Sequence, residues 1–458
     1  MDLTSNRKLL KHTALLIAEN KELKEKYRLL SESYDQLSDE LEQYRQKHAS
    51  KEADADSSGQ TRYRTATVLF AEFKGFSDIM AETSANIAEQ MDKLDMYLFL
   101  FTQISEKYHL VKVQSIGDSF ICVGGVSEKN NANPITVTLA ALEMLYMLEN
   151  DAQQAWSVNI GIHTGAVTAR IERKKQTAYR VKGDTVNTVS RMVAVGQKNT
   201  VNISATTYEM IKELFECTYV NLLPVKYRNK LELYTVRGIH AGFASDSKRY
   251  LPNDAFRTRL LLFRFGDLQE YVLDMLENGL PAYLYYHNVK HTVDVVTESE
   301  LIGWAEGLND QQLLLLKTAA LFHDTGHLVS YADHEERSTE IARKTLPAYD
   351  YTPDEINEIC RIIMATKLPP KPADILEAII CDADLDYLGR TDFIPVSNAL
   401  YEELKAQNKM PSINEWNKMQ LKFISAHQYF TKTGRELREV KKQEQIERIR
   451  QLISEDRA

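Results

Sequence analysis

The sequence predicts three kinds of structure in turn: an N-terminal coiled coil, an α+β sheet domain and an all-α domain. Three observations carry this prediction. Leucines recur at a seven-residue period near the N-terminus, apolar segments of strand and helix length alternate from Tyr63 to about Gly238, and from Ala255 onward only helix-length amphipathic runs remain. A chain of 458 residues is too long for one core, so these regimes read as separate domains.

The coiled coil comes first. Leu9, Leu16, Leu23, Leu30, Leu37 and Tyr44 keep a strict heptad, which an isolated surface helix has no reason to keep. The row four residues later is Thr13, Asn20, Tyr27, Tyr34 and Leu41, where a polar Asn20 favours a parallel dimer in one register. We therefore expect residues 1–50 to dimerise the chain. The run KEADADSSGQ from Lys51 to Gln60 is polar and small, and residues 51–62 read as a linker.

The sheet domain is expected over residues 63–239. Thr65–Phe73, Leu110–Val123 and Ser157–Ile162 read as strand-forming, and Glu82–Tyr108 and Pro134–Asn150 as helices. Glu72 stands at a strand end, and Phe73, Lys74, Gly75 and Phe76 follow as a loop whose backbone N–H groups could cradle phosphate. Asp118, in Ser115-Ile116-Gly117-Asp118-Ser119-Phe120, falls at a tight hairpin turn. Two such carboxylates could share a pair of divalent cations that activate an attacking hydroxyl and stabilise leaving pyrophosphate.

The helical domain is expected over residues 255–433, after a linker at residues 240–254 that carries Gly, Ser and Asp with no periodicity. Leu260–Glu277, His287–Gly303, Gln311–Phe322, Glu335–Lys344, Pro353–Thr366 and Ile375–Leu388 are its amphipathic runs. Pro353 after Thr352 is a good helix start. Residues 434–458 form a charged tail with Leu437, Val440, Ile446, Ile449 and Leu452 on a possible stripe.

Within the helical domain the chemistry concentrates on histidine and aspartate. His287 and His291 stand at helical spacing, so both rings are expected on one face. His323-Asp324 follows an apolar run, and Asp384 sits in Asp382-Ala383-Asp384-Leu385-Asp386. Asp382 and Asp384 would point to opposite sides of a helix, so one at most faces a metal. Imidazoles and carboxylates with an open coordination position can lower the pKa of a bound water and supply hydroxide to phosphorus. His327, one turn after His323, could touch substrate phosphate or a second metal's water, and His334 is a further candidate for that role.

Two resemblances follow from these motifs. Glu72 to Phe76, Asn159-Ile160-Gly161-Ile162-His163-Thr164-Gly165 and Val181-Lys182-Gly183-Asp184-Thr185-Val186-Asn187-Thr188-Val189-Ser190-Arg191-Met192 resemble the class III nucleotide cyclases, whose domain is ferredoxin-like. The resemblance implies that Glu72 and Asp118 hold the metals, that Asn187 orients ribose, that Arg191 stabilises charge on the α-phosphate, and that Arg228 stands for a triphosphate-binding lysine. It also implies a site shared between two cyclase domains, hence a homodimer. Besides Arg228, three positions depart from the family pattern. Glu72 replaces an aspartate, and the base-selecting pair falls on Gln114 and Arg180, which matches neither the adenine nor the guanine rule and leaves the base open.

The second resemblance is to the HD superfamily, and Tyr286-His287-Asn288-Val289-Lys290-His291 resembles the signature of its class I cyclic-nucleotide phosphodiesterases. By that resemblance His287 is the general acid, and His291, His323, Asp324 and Asp384 hold the metal, the second aspartate of the Asp382 to Tyr387 run being the ligand. The donor sets suit Mg or Mn at the cyclase carboxylates and Mn, Fe, Zn, Co or Mg at the HD site.

The sequence thus reads as a homodimeric enzyme that makes a 3′,5′-cyclic nucleotide from a nucleoside triphosphate and opens it to the 5′-nucleotide. Two other readings stand beside it: a phosphodiesterase governed by a nucleotide-sensing cyclase domain, and an HD hydrolase acting on another nucleotide phosphate. A net charge of -9 argues against a nucleic-acid partner. No run approaches about 18 apolar residues and no signal peptide opens the chain, so no membrane partner and a cytoplasmic location are expected. Four cysteines without CxxC spacing agree with a reducing compartment.

Overall fold

The computed structural model describes residues 60–74, 87–113, 118–127, 129–151, 156–174, 176–225 and 228–455. The expected coiled coil, Gly75, Phe76 and Gln114 lie outside the described residues. Tyr63–Val167 and Glu172–Ala458 make one compact unit.

Strand β1 (Gln60–Lys74) carries an apolar run because both of its faces are covered. Leu69, Ala71 and Phe73 enter the main core of the sheet domain, and Ala66 and Val68 a smaller one on the other side. Helix α1 (Ile87–Lys107) follows, then β2 (Val111–Val113) and β3 (Ser119–Gly124), a hairpin in register Val111↔Val123. β3 also pairs antiparallel with β1, Glu72 opposite Ser119. Helix α2 (Asn133–Glu149), β4 (Ser157–Lys174), β5 (Gln176–Lys182), α3 (Asp184–Val195), β6 (Thr200–Ser204), α4 (Ala205–Ile211), β7 (Phe215–Val225) and β8 (Arg228–Ile239) complete the domain. Among the described residues the sheet has eight strands in the order β1-β3-β2-β5-β4-β6-β8-β7. The pairs β2/β5 and β4/β6 are parallel and the pairs β6/β8 and β7/β8 antiparallel, which is the mixed α+β sheet that the alternating pattern predicts.

The stretch expected as a linker, residues 240–254, is folded. A 3-10 turn (Ala241–Phe243) and an Ala244–Pro252 bridge shape it, Asp246 accepts the backbone N–H groups of Lys248, Tyr250 and Leu251, and Phe243 and Tyr250 pack on the sheet-domain core. Its small polar residues are turn formers rather than a sign of slack.

Helix α5 (Asp254–Gly279) begins with Asn253 as N-cap and runs for 26 residues. Phe256, fully buried, belongs to the sheet-domain core with edge contacts to Phe215 and Phe243, whereas Leu261, Phe265, Leu268 and Val272 belong to the core of the helical region. The helical region continues as α6 (Val289–Ala305), α7 (Asp310–Phe322), a 3-10 turn (Thr325–Leu328), α8 (His334–Thr345), α9 (Pro353–Met364), α10 (Ile375–Asp384), a 3-10 turn (Asp386–Gly389), α11 (Phe393–Ala406), α12 (Ile413–Ala426) and α13 (Lys432–Glu455). Capping boxes fix the starts of α7, at Asn309 and Gln312, and α9, at Thr352 and Glu355.

The expected stripe on the tail splits. Ile446 and Ile449 are buried with Leu388, Phe393 and Ile424, but Leu437, Val440 and Leu452 are exposed. The buried face of α13 also carries Lys442 and Gln445, whose polar groups reach the carbonyls of His427 and Arg390. Satisfied polar side chains there displace the face from the purely apolar stripe. No described helix is long and apolar enough to cross a membrane.

Candidate functional site

Four side chains from three helix ends converge in the helical region. His291 stands on the first turn of α6, His323 and Asp324 directly follow α7, and Asp384 is the last residue of α10. His291 Nε2 lies 3.3 Å from Asp324 Oδ2, 3.2 Å from Asp384 Oδ1 and 3.3 Å from His323 Nε2. His323 Nε2 lies 3.3 Å from Asp324 Oδ2 and 3.6 Å from Asp384 Oδ1. Ligand atoms about 2.1 Å from one cation lie about 3.0 to 3.4 Å from each other in octahedral or tetrahedral geometry, so these spacings fit a shared divalent cation.

The local structure selects the ligating atoms. His323 Nδ1 donates to the Ala320 carbonyl at 2.7 Å, which leaves Nε2 as the lone-pair nitrogen of the neutral ring. Ser338 Oγ donates to the His323 carbonyl and accepts from Gly326 N–H, pinning the turn that carries Asp324. Gly326 is required there, because a Cβ would stand 1.8 Å from the His334 carbonyl oxygen. Asp324 Oδ2 is buried without a hydrogen-bond partner. Burial works against charge on His291 and His323, yet Asp324 and Asp384 outweigh it and raise both imidazoles, while both carboxylates are lowered despite their burial. A cation binding here would displace those protons.

His287 is not on the helix with His291. It precedes Asn288, which caps α6 by accepting from Lys290 and His291 N–H, so the expected shared helix face is a loop and a first turn. Ser, Thr, Asp and Asn compete for helix starts, and Asn288 holds one. The rings still meet, 5.8 Å between centroids. Glu403 of α11, fully buried, accepts the N–H groups of Tyr286 and His287 with Oε2 and faces His287 Nδ1 at 2.5 Å with Oε1. Burial opposes its charge, but the bond from His287 prevails and its pKa is lowered.

His287, Asp324 and His327 form a second converging group. His327 lies 3.8 Å and His334 3.6 Å from Asp324 Oδ1, and the two rings stack at 4.1 Å. Burial pushes His327 down to about 3, so it is neutral at pH 7, and neither of its ring nitrogens has a hydrogen-bond partner. Asp324 thus offers one oxygen to each group. Asp382, the alternative aspartate, points elsewhere: it accepts Phe430 N–H, Thr431 N–H and the Thr431 hydroxyl.

A cavity of about 520 Å³ opens over His287, Asp324, His327 and His334. Its far wall includes Leu388, Phe393, Leu400, Phe423 and Ile424, with Gln420 among them. Trp416 Nε1–H donates to Ser397 Oγ, so the one Ser397 proton is left for Gln420 Oε1 at 2.8 Å. The amide orientation follows, and Gln420 Nε2 is a buried donor without a partner. Glu403, Ser397, Trp416, Gln420 and Phe423 were absent from the sequence reading. Trp416, Gln420 and Phe423 sit at i, i+4 and i+7 on α12, so one polar residue inside an apolar helical stripe was the available signal.

In the sheet domain, Phe73 N–H donates to the Asp118 carbonyl at 2.9 Å, which brings the strand end bearing Glu72 beside Asp118. The Glu72 carboxylate pairs with the Lys74 ammonium. Arg180 follows Tyr179, the partner of Val113 in β2. Asn187 and Arg191 lie one turn apart, exposed, on α3, and Arg228 opens β8. Among the described residues, the groups of three or more converging ligand-type side chains are both in the helical region.

Comparison with known proteins divides the chain in the same way. Residues 59–238 match the family described as adenylate and guanylate cyclase catalytic domain, and residues 288–386 match the HD domain. The chain is 29% identical over 189 residues to atrial natriuretic peptide receptor 2 of Rattus norvegicus, covering 39% of this chain and 18% of the receptor. It is 29% identical over 177 residues to guanylate cyclase soluble subunit beta-2 of the same species, 38% of this chain and 26% of that one. The chain therefore spans well under a third of the length of these relatives. A solved structure of the catalytic core of a rhodopsin-guanylyl cyclase with converted specificity is 28% identical, covering 39% of this chain and 97% of that one, with a TM-score of 0.36. The guanylate cyclase domain of RhGC from Catenaria anguillulae is also 28% identical, covering 38% and 97%, with a TM-score of 0.35. This chain joins a class III adenylate/guanylate cyclase catalytic domain to an HD domain that follows it.

Proposed function

We propose that the HD domain is a metal-dependent phosphodiesterase that opens a 3′,5′-cyclic nucleotide to the 5′-nucleotide, and that the cyclase domain makes such a nucleotide from a nucleoside triphosphate. The convergence of His291, His323, Asp324 and Asp384 at 3.2 to 3.6 Å carries the reading. Divalent cations held there, and beside Asp324 Oδ1, His327 and His334, would supply Lewis acidity toward the phosphate and a more acidic water. Water adds to phosphorus, the P–O3′ bond breaks, and His287 gives O3′ its proton. Glu403 holds His287 by Nδ1, so Nε2 is the nitrogen free to face the leaving oxygen. The apolar wall takes the base, and Gln420 Nε2 donates to an acceptor on its edge.

In the cyclase domain, Glu72 and Asp118 would hold Mg or Mn, the 3′-hydroxyl would attack the α-phosphate, and pyrophosphate would leave. Asn187 and Arg191 serve the ribose and α-phosphate, Arg228 the triphosphate, and Gln114 and Arg180 the base. The active form is a homodimer, joined through the cyclase domains and the N-terminal heptads. A second reading has a specific observation behind it: Lys74 already neutralises Glu72, which suits a domain that senses nucleotide without cyclising it.

The test is a product assay on Asp324→Ala with all four nucleoside triphosphates and Mn or Mg, read by mass spectrometry. A cyclic product that accumulates only in the variant supports both activities, and its loss in Asp118→Ala assigns the synthesis. No product from folded protein favours the sensing reading, and retained hydrolysis in Asp324→Ala overturns the HD assignment.

A further inference from the structure

The β2–β3 hairpin has two ends with different neighbours. Its tip carries Asp118, beside the strand end of Glu72. Its open end is flanked by His109, before β2, and by Lys129 and Asn131, after β3. All three touch the helical region. His109 Nε2 lies 3.5 Å from Asp350 Oδ1, Lys129 pairs with Glu270, and Asn131 donates both its backbone N–H, at 2.9 Å, and its Nδ2, at 2.6 Å, to Asp267.

The receiving groups are themselves tied to the HD centre. Asp267, only 4% exposed, and Glu270 lie nearly one turn apart on α5. Arg264 of the same helix pairs with Asp350, and Arg257 donates to the Asp350 carbonyl. α5 shares its core with α7, from whose end His323 and Asp324 project. The hairpin is braced along β3 by six consecutive pairings with β1, from Thr67↔Gly124 to Glu72↔Ser119, which join its two ends through one continuous ladder.

We infer that nucleotide occupancy at the Glu72 and Asp118 end is passed through this hairpin to α5, so that the cyclase domain sets the rate of hydrolysis in the HD domain. The inference rests on reading that strand end as a nucleotide site. An equilibrium coupling of this kind is reciprocal and is commonly fivefold or more, a size a steady-state assay resolves.

The experiment uses the full chain with Mn²⁺ and the 3′-deoxy forms of all four nucleoside triphosphates, which lack the attacking hydroxyl and leave no cyclic product. Calorimetry reads their binding, and bis(4-nitrophenyl) phosphate turnover reads the HD site. Wild type is expected to bind one of them and change kcat/KM by about fivefold. Asp267→Ala is expected to bind it and keep its basal turnover but lose the response. Asn131→Ala, which removes only the Nδ2 donor, is expected to lose part of it and covers the case in which Asp267→Ala does not fold. Absence of binding in wild type would overturn the reading of the strand end, and the coupling with it. Binding that leaves turnover unchanged overturns the coupling alone. A response that survives in both variants, as direct competition at the HD site would, overturns the route.

Discussion

In the mechanism we propose, replacing Glu403 by Gln isolates the proton given to the leaving group. The buried carboxylate accepts from Tyr286 N–H, His287 N–H and the His287 ring, and Gln retains an oxygen for the backbone donors while losing the charge. A charge-assisted hydrogen bond is worth about 1.5 to 3 kcal/mol, so kcat for a cyclic nucleotide is expected to fall about 10- to 150-fold. The loss belongs to protonation of an alkoxide. A 4-nitrophenolate leaves without a proton, so bis(4-nitrophenyl) phosphate should lose far less. The assay is therefore the ratio of the two kcat values in wild type and variant, with melting temperature as control. Equal losses on both substrates would refute the pairing of Glu403 with a general acid and make it a structural residue.

Three further outcomes follow from the geometry. Ser397→Ala frees the Gln420 amide to turn, and the ratio of kcat/KM between adenine and guanine cyclic nucleotides should move toward unity; an unchanged ratio would show that the Trp416–Ser397 relay does not set the amide. Gly326→Ala drives a methyl into the His334 backbone and should cost about 2 kcal/mol or more, seen as a lowered denaturation midpoint together with weakened hydrolysis. Burial works to raise Glu355, but the bonds from Arg257, Thr352 N–H and Gln311 together hold it down to about 2 against an ordinary 4.5, so its contribution is complete above about pH 4.5 and is lost as pH falls toward 2. That difference corresponds to about 3 kcal/mol, or about 2 after solvent screening of the part-exposed Arg257. Glu355→Gln should show this deficit by urea unfolding at pH 7 and not near pH 2.

From Thr65 to Ile162 and from Leu260 to Leu388 the layout was legible in segments of strand and helix length, whereas β5 to β8, α3, α4, α11 and α12 were not assigned as elements. The cluster was legible for a different reason: His291, His323-Asp324 and Asp384 stand in the order of the HD superfamily they resemble, and the structure brings their side chains together. His287 was found through the Tyr286-His287-Asn288 resemblance, and only the helix face expected to join it to His291 was mistaken, because Asn288 caps a helix that starts after it. Glu403 was hidden because nothing local separates it from Glu402, which is exposed; only the packing of α11 against the segment before α6 makes one solvated and the other fully buried. The exposed Leu437 and Val440 were misread because a satisfied Lys442 looks polar in sequence and is 2% exposed in the fold.

Phe256 makes the seam between the two domains an unsuitable place to cut. A helical region started at Ala255 would carry away the ring that Phe215 and Phe243 close upon, and an aromatic-sized void in a core costs about 3 to 5 kcal/mol. A sheet domain ended at Ile239 would lose Phe243 and Tyr250 as well. A protease acting on the native chain should therefore spare residues 240–256, and the two domains would be inherited, expressed and degraded as one object.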